Sequence, residues 1–143
     1  MIKITHEPLD PKLITTKVFN NQNGAIVTFL GSTRRTTGDK IVLYLEYEAY
    51  RPMADKKLAE IVDEVCYQSS VKDVAIVHRL GRLDIGDISL IVATAAPHRK
   101  DAFAACQKIV DRIKDIVPIW KKEFFEDGEV WVGIEEHGIN NMN

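Results

Sequence analysis

Residues 98–123 read HRKDAFAACQKIVDRIKDIVPIWKKE, the most informative stretch of the chain for its fold. From Arg99 to Val117 the apolar residues recur at helical spacing, which predicts an amphipathic helix, and Pro118 predicts its end. At 100° per residue one apolar stripe spans an arc of about 80°. Its members are Phe103, Cys106, Val110, Ile113 and Val117. We expect the helix to bury this whole stripe against the rest of the fold.

The basic residues of this helix differ in the direction in which they point relative to the apolar stripe. Lys108 and Arg112 point away from the stripe and predict a solvated face, whereas Lys114 lies about 20° beyond Phe103, at the stripe's edge. A lysine at such an edge usually lays its methylene stem over the core and keeps its ammonium group in water. The edge position also predicts partial desolvation, which suits a reactive lysine. Position alone leaves both interpretations open.

The same segment concentrates positive charge. Arg99–Lys122 holds seven Lys and Arg against three Asp, a charge of +4 in a chain whose net charge is −2, so the remainder carries −6. Such a concentration in an otherwise acidic protein predicts an anion-binding pocket. His98 and Arg99 stand at the start of the helix, where free N–H groups favour anions, although His98 alone is also compatible with a capping role.

Other basic residues are candidates for the same pocket. Lys121 and Lys122 follow a tryptophan, and a solvated lysine pair beside a buried ring is an equally good interpretation. Arg34 lies in a polar loop directly after an apolar strand, where the loop could cradle an anion.

The remaining patterns predict an α+β fold. Asp10-Pro11 resembles a helix N-cap followed by proline in the first turn, and Met53–Ser69 has the spacing of an amphipathic helix. Gly24–Gly31 is almost continuously apolar, which predicts a strand buried on both faces. Ile41–Tyr50 alternates, with Leu43 expected on the inner face.

Further strands are predicted over 73–80 and 88–96, joined by a turn-rich connection at 81–86, and over a terminal hairpin at 121–134. Three helices and five or six strands favour an antiparallel or mixed sheet with helices on one side.

Composition narrows the class of protein. A chain of 143 residues with 45% hydrophobic and 28% charged residues predicts a single globular domain over 1–143. No apolar run is long enough to span a bilayer, and no secretory signal pattern is present, so we expect a cytoplasmic protein. The acidic balance argues against nucleic-acid binding. The two cysteines, Cys66 and Cys106, predict no disulfide framework.

Metal and nucleotide chemistry have no sequence support. The four histidines are scattered without the spacing of a helical zinc pair, and no nucleotide-binding glycine loop or serine-nucleophile motif occurs. His78 shares a strand face with Val74 and Ile76, which predicts a packed core histidine.

Five motifs in a fixed order resemble one family, the large, catalytic subunit of molybdopterin synthase. The resemblance runs from about Gly24 to Trp131. Its motifs are Gly24-Ala-Ile-Val-Thr-Phe-Leu-Gly-Ser-Thr-Arg34, Leu45-Glu-Tyr-Glu-Ala-Tyr50, Ile76-Val-His-Arg-Leu-Gly81, His98-Arg-Lys-Asp-Ala-Phe103 and Val117-Pro-Ile-Trp-Lys-Lys-Glu123. Together they are highly specific.

The resemblance implies a reaction, a fold and partners. It implies transfer of two sulfurs to cyclic pyranopterin monophosphate, giving the dithiolene of molybdopterin without a cofactor. The sulfurs come from the thiocarboxylated C-terminal glycine of a small ubiquitin-like subunit. The implied fold is an α/β hammerhead with added antiparallel sheet, and the implied assembly is a homodimer with a small subunit at each end.

The resemblance also implies site residues. The catalytic lysines correspond to Lys114 and Lys121, neither of which it assigns to a particular step. The substrate-binding residues correspond to Ser32, Thr33, Arg34, His98, Arg99, Lys122 and Glu123. The tail from Glu135 to Asn143 departs from the family pattern, because it offers no basic residue to align.

Helix geometry adds an expectation about assembly. Arg99 and Lys114 stand 15 residues apart on one helix, roughly 22 Å at about 1.5 Å per residue, too far to touch one small ligand. We therefore expect a site shared across the dimer, with His98 and Arg99 reaching in from the neighbour. A different class of function is a non-catalytic module that holds a phosphorylated ligand or an acidic tail; the presence of two lysines favours the enzyme.

Overall fold

The computed structural model describes residues 1–132, with Trp131 described by its backbone alone. This range contains three helices, α1 (Pro11–Thr16), α2 (Arg51–Gln68) and α3 (Arg99–Ile116). It contains nine strands: β1 (Ile2–Thr5), β2 (Ala25–Ser32), β3 (Thr36–Thr37), β4 (Lys40–Ala49), β5 (Asp73–Arg79), β6 (Gly81–Asp84), β7 (Ile88–Ala96), β8 (Ile119–Phe125) and β9 (Gly128–Val132). None of these helices is long and apolar enough to cross a membrane.

The α+β prediction with three helices is confirmed, but the strand count was too low. The unpredicted strands β1, β3 and β6 are only two to four residues long. So few residues leave no readable alternation, and β6 lies inside the segment that was expected to be a turn-rich connection. The C-terminal hairpin is confirmed as far as Val132; the rest of it and the tail 135–143 lie outside the described residues.

Four strands form a mixed sheet in the order β1-β5-β7-β2. β1 runs parallel to β5, while β7 runs antiparallel to both β5 and β2. The two central strands are buried along almost their whole length, which explains their continuous apolar sequences. This sheet is the platform for all three helices.

The helices lie on both faces of this sheet, so the expectation of helices on one side was wrong. α2 and α3 pack on the face that includes Val74 and Ile76. On the opposite face, Ile14 of α1 packs against alanine and valine side chains of β5 and β7. The reason is that both faces of the central strands are apolar, and each must be covered.

β2 is an edge strand, and its predicted burial on both faces was wrong as well. Ile26 and Leu30 keep 39% and 44% of their surface exposed. Only one edge of the strand is paired, through β7, in the described part of the chain. The apolar run therefore predicted a strand here correctly, but it did not predict how much of the strand is buried.

The second sheet is antiparallel and is organised around β4, which pairs with β3, β6 and β8. An irregularity between Val42 and Tyr44 shifts the register, so Val42 and Leu45 are buried while Leu43 is 49% exposed. The expected inner position of Leu43 was wrong because one added residue in a strand reverses the facing of those beyond it.

α3 is anchored to the sheet at its first turn. Thr94 on β7 is fully buried, and its hydroxyl donates a hydrogen bond of 2.7 Å to the carbonyl oxygen of Ala102. Asp101 accepts hydrogen bonds from the backbone and side chain of Ser70, just beyond α2. The helix ends at Ile116, just before Pro118 as predicted, and the Val117 N–H closes the last turn on the carbonyl oxygen of Ile113.

The apolar stripe of α3 is rotated relative to its predicted centre. Ala102, Ala105 and Ile109 are buried with Cys106 and Ile113, whereas Phe103 is 62% exposed. The small side chains of the α3 alanines pack against the sheet. Phe103, the bulkiest member of the predicted stripe, therefore lies outside the core of the isolated chain.

His78 occupies the β5 face that packs toward α2 and α3, and the prediction of a core histidine is confirmed. Its residual exposure is 6%. Its Nδ1 lies 2.9 Å from the carbonyl oxygen of Arg79, and a carbonyl can only accept, so Nδ1 carries the proton. Burial lowers the pKa of the His78 imidazole from 6.5 to about 4.

This burial predicts a pH-dependent stability. The unfolded chain takes up a proton on His78 as the pH falls below 6.5, whereas the folded chain resists until about pH 4. Folding stability is therefore lost across this window, by on the order of 2 to 3 kcal/mol. Urea unfolding at pH 7 and at pH 4.5 measures how much the free energy of unfolding falls between the two pH values. In His78→Gln this fall should be smaller than in the wild type by this amount. The exposed His6→Gln is the control, and equal losses in all three proteins would contradict the prediction.

Candidate active site

A cavity of about 110 Å³ opens where the C-terminal end of α3 meets β8. Lys114 and Lys121 both line it, together with the aromatic side chains of Phe29, Tyr47 and Trp120. His78 contributes to the same wall. Lys114 is exposed and His78 buried, so the cavity runs from an ammonium group near the solvent to an imidazole in the interior.

The turn after α3 brings the two lysines to one cavity. Lys114 lies in the last turn of the helix, and β8 begins at Ile119 directly after Pro118. The carbonyl oxygen of Pro118 accepts a 3.1 Å hydrogen bond from the Tyr50 N–H, and Lys121 pairs with Tyr47 across the β4–β8 ladder. Two regular elements, rather than a long loop, therefore hold the lysines.

Lys121 and Lys114 have different electrostatic surroundings. Lys121 Nζ lies 3.3 Å from Glu123 Oε1, and the Glu123 side chain is only 8% exposed. Lys114 is exposed and has no carboxylate within ion-pair distance in the part of the chain that the structure describes. The expected partial desolvation of Lys114 was therefore wrong for the isolated chain, because the edge of the stripe opens onto solvent.

A second, polar hollow of about 40 Å³ adjoins the first. Ser32 and Arg34 line it, and Tyr47 and Lys121 border both hollows. Glu123 also belongs to its lining. The structure thus places two of the three predicted residues of the 32–34 loop in a hollow beside the lysine cavity, with a guanidinium group suited to an anion.

Thr33, between them, faces inward. It is 4% exposed, its N–H donates to the carbonyl oxygen of Asp87 at 2.9 Å, and its own carbonyl oxygen accepts from Gly86 at 2.9 Å. Its hydroxyl oxygen has no hydrogen-bond partner among the described residues. Thr33 supports the loop that presents Ser32 and Arg34.

Lys122 points away from both hollows. Neighbouring side chains on a strand alternate between faces, and Lys122 lies 3.4 Å from Glu129 and over the ring of Phe124 at 5.2 Å. Its place in this chain is on the outer face of the second sheet.

His98 and Arg99 lie at the other end of α3 and border neither hollow. Both are exposed, and His98 is the N-cap residue without a side-chain capping hydrogen bond. The loop before them is tightly held, because a Cβ on Gly24 would lie 2.7 Å from the carbonyl oxygen of Pro97. The pair therefore follows a closely packed loop and lies away from the lysines.

The sequence interpretation missed the aromatic wall and His78. Phe29, Tyr47 and His78 lie on three different strands, so no local spacing connects them. Trp120 offered a signal, since it directly precedes Lys121. His78 was correctly expected in the core, but its second contact, with the cavity, depends on the turn after α3.

Comparison with known proteins agrees with this architecture. A model of the family described as MoaE protein matches residues 4–116. The chain belongs to the MoaE protein family. It is 47% identical over 130 residues to the molybdopterin synthase catalytic subunit of Halalkalibacterium halodurans, covering 91% of this chain and 83% of that one. The counterpart from Staphylococcus carnosus is 48% identical over 131 residues, covering 92% and 87%.

Solved structures give the same result. The crystal structure of molybdopterin synthase from Staphylococcus aureus matches with a TM-score of 0.86 and 46% identity, covering 91% of this chain and 95% of that one. A complex of subunits 1 and 2 of molybdopterin-converting factor from Helicobacter pylori shares the fold, with a TM-score of 0.77 at 21% identity, covering 92% and 89%. The resemblance indicated by the sequence motifs is confirmed, and so is the fold class.

The Lys121–Glu123 pair predicts an asymmetry between the lysines. Lys121→Met leaves a buried carboxylate without its partner and should lower the free energy of unfolding by about 1 to 3 kcal/mol. Lys114→Met, at an exposed position, should change it by less than about 0.5 kcal/mol. Urea unfolding measures both.

The double variant Lys121→Met/Glu123→Gln is the control. It should recover at least part of the loss, since no buried charge is then unpaired. Equal losses for Lys114→Met and Lys121→Met would show that the pair contributes nothing.

Proposed function

We propose that this chain acts as the catalytic subunit of a molybdopterin synthase, a sulfurtransferase. It takes sulfur from the thiocarboxylated C-terminus of a small ubiquitin-like subunit and transfers two sulfurs to cyclic pyranopterin monophosphate. The observation that supports this most directly is the convergence of Lys114 and Lys121 on one cavity beside Arg34. The names of the relatives agree with it.

The two hollows suit two parts of such a substrate. Arg34 and Ser32 can hold the cyclic phosphate, because a guanidinium group and a hydroxyl both donate to phosphate oxygens. The aromatic wall of the larger cavity suits a flat heterocycle. Lys121, between the hollows, can stabilise negative charge that develops as the phosphate ring opens.

The sulfur transfer needs proton delivery and a route for the donor. In each round a C–S bond forms to the pterin side chain, the displaced oxygen leaves with a proton, and water then cleaves the acyl–sulfur bond, leaving a carboxylate on the carrier. Lys114 faces the solvent at the mouth of the cavity, which is the side open to an incoming C-terminal tail. We assign proton transfer at the displaced oxygen to Lys114, and charge stabilisation to Lys121 with its partner Glu123.

The partner assignment rests on chemistry and on one relative. The Helicobacter pylori neighbour is described as a complex of two subunits. A narrow cavity lined by lysines suits an extended, anionic C-terminal tail rather than a folded surface. We also propose a cytoplasmic location and one functional domain, the latter because Tyr47 packs against the cores of both sheets.

A second copy of this chain would complete the site. A groove of about 400 Å³ lies between the free edge of β2 and α3, lined by Val27, Phe103 and Val110 among others. It runs along residues 103–111 of the helix, midway between Arg99 and Lys114. A two-fold axis through this groove would place Arg99 of one copy opposite Lys114 of the other. The exposure of Phe103 agrees with this, because a large aromatic side chain is commonly buried at such an interface.

The reaction itself gives the first functional prediction. The chain, incubated with a thiocarboxylated small subunit and cyclic pyranopterin monophosphate, should form the dithiolene product. Lys121→Ala and Lys114→Ala should each lower the rate by about 10²-fold or more. Lys108→Ala is the matched control, since Lys108 lies on α3 but pairs with Glu64 on α2.

The outcomes separate two claims. If the wild-type chain forms no product, the sulfurtransferase proposal is wrong, and the alternative of a non-catalytic module that holds a ligand is favoured. Full activity of Lys121→Ala would remove only the role given to Lys121.

The shared site gives a second prediction. Lys114→Ala and Arg99→Ala chains, each inactive alone, should recover activity when mixed. Half of the randomly formed dimers are mixed, and each has one intact site, so about a quarter of wild-type activity is expected. A mixture of Lys114→Ala with Lys121→Ala should recover none, because both lysines belong to one protomer's cavity. No recovery in the first mixture, with mixed dimers detected by mass spectrometry, would contradict sharing.

A further inference from the structure

One ring nitrogen of His78 makes a hydrogen bond within the fold, and the other has no hydrogen-bond partner among the described residues. Its Nδ1–H donates to the Arg79 carbonyl oxygen at 2.9 Å, and this is the only hydrogen bond of the imidazole within residues 1–132. The ring lies edge-on to Tyr47, with centroids 5.0 Å apart. These two contacts fix both the tautomer and the orientation of the ring, leaving the Nε2 lone pair as an acceptor.

We propose that His78 is a substrate-binding residue whose Nε2 accepts a hydrogen bond from an N–H group of the heterocycle held in the lysine cavity. The inference rests on the function proposed above and extends it to recognition of the ring. His78 is a buried residue of the cavity wall that Lys114 and Lys121 also line.

The polar groups of the cavity support an acceptor role. The ammonium groups of Lys114 and Lys121 can only donate, so they can recognise an anion but not a ring N–H. Ser89, another polar residue of the wall, donates its hydroxyl proton to the carbonyl oxygen of Gly31 at 3.2 Å, and its oxygen keeps lone pairs that can accept. A pterin carries both amide and amino N–H groups, so it can use more than one acceptor. A neutral imidazole with a free lone pair is a complementary acceptor for one of them.

Burial keeps His78 in this form. The lowered pKa leaves the imidazole neutral at neutral pH, so Nε2 does not become a donor under the conditions of the reaction. An apolar residue on this β5 face, like Val74 and Ile76, would avoid the cost of burying a polar ring.

Steady-state kinetics of two variants test the proposal. His78→Leu removes the acceptor and should raise the KM for cyclic pyranopterin monophosphate by on the order of tenfold, the effect of one lost hydrogen bond, with a much smaller change in kcat. His78→Gln supplies an amide oxygen and should return KM to within about threefold of wild type. Thermal melting in the absence of substrate establishes that each variant is folded.

A measurement on the wild-type chain covers the case in which His78→Leu does not fold. In ¹⁵N NMR, without the sulfur donor so that no turnover occurs, addition of cyclic pyranopterin monophosphate should shift the unprotonated His78 Nε2 resonance toward that of a hydrogen-bonded nitrogen. The Nδ1 resonance should change little.

The results distinguish this inference from the function on which it rests. Unchanged KM in a folded His78→Leu, or an unmoved Nε2 resonance at saturating substrate, overturns the role of His78 while sulfur transfer by the wild type stands. A wild-type chain that neither binds nor converts the pterin overturns both.

Discussion

The packing of α3 against the four-stranded sheet is the contact on which the candidate site depends. Small and branched side chains, among them Ala102 and Ile109, are buried there, and the Thr94 hydroxyl ties the first turn to β7. Because the helix is packed along its length, the position of its C-terminal end is fixed relative to the sheet. Because α3 ends just before Pro118 and β8 starts at Ile119, Lys114 and Lys121 line one cavity without a long loop between them, which is the arrangement that precise chemistry needs.

Ion pairs distinguish two groups of basic residues in the segment 99–122, those with a carboxylate partner and those without one. Counting charges in the sequence could not separate them. Lys108 and Arg112 both lie within 4 Å of Glu64 on α2 and belong to a solvated helix face. Arg99 and Lys114, in contrast, have no carboxylate at ion-pair distance in the described part of the chain. Cations left without internal partners, such as Arg99 and Lys114, can bind an anionic ligand without first breaking an ion pair, whereas Lys121 keeps its pair with Glu123 beside the cavity.

Sequence patterns predicted the long, regular elements well and the contacts between them poorly. The bounds of α3 and β7 were nearly correct, because many residues repeat one period there. The errors at Leu43 and Phe103 have a common cause. Hydrophobicity predicts that a side chain will be buried somewhere, but a strand irregularity or a helix rotation of a few tens of degrees decides which residues are. Phe103 instead lines an open groove between β2 and α3.

The sequence by itself determined the α+β class and the family, and it supplied the candidate residues for the proposed chemistry, above all Lys114, Lys121 and Arg34. These follow from residue type, local period and motif order, which do not require knowing how distant segments meet. Only the tertiary structure decided that His78 borders the lysine cavity and that Thr33 faces inward. Those facts depend on packing between β5, β7, α3 and β8, and the geometry of packing arises from all the contacting side chains together rather than from any one stretch of chain.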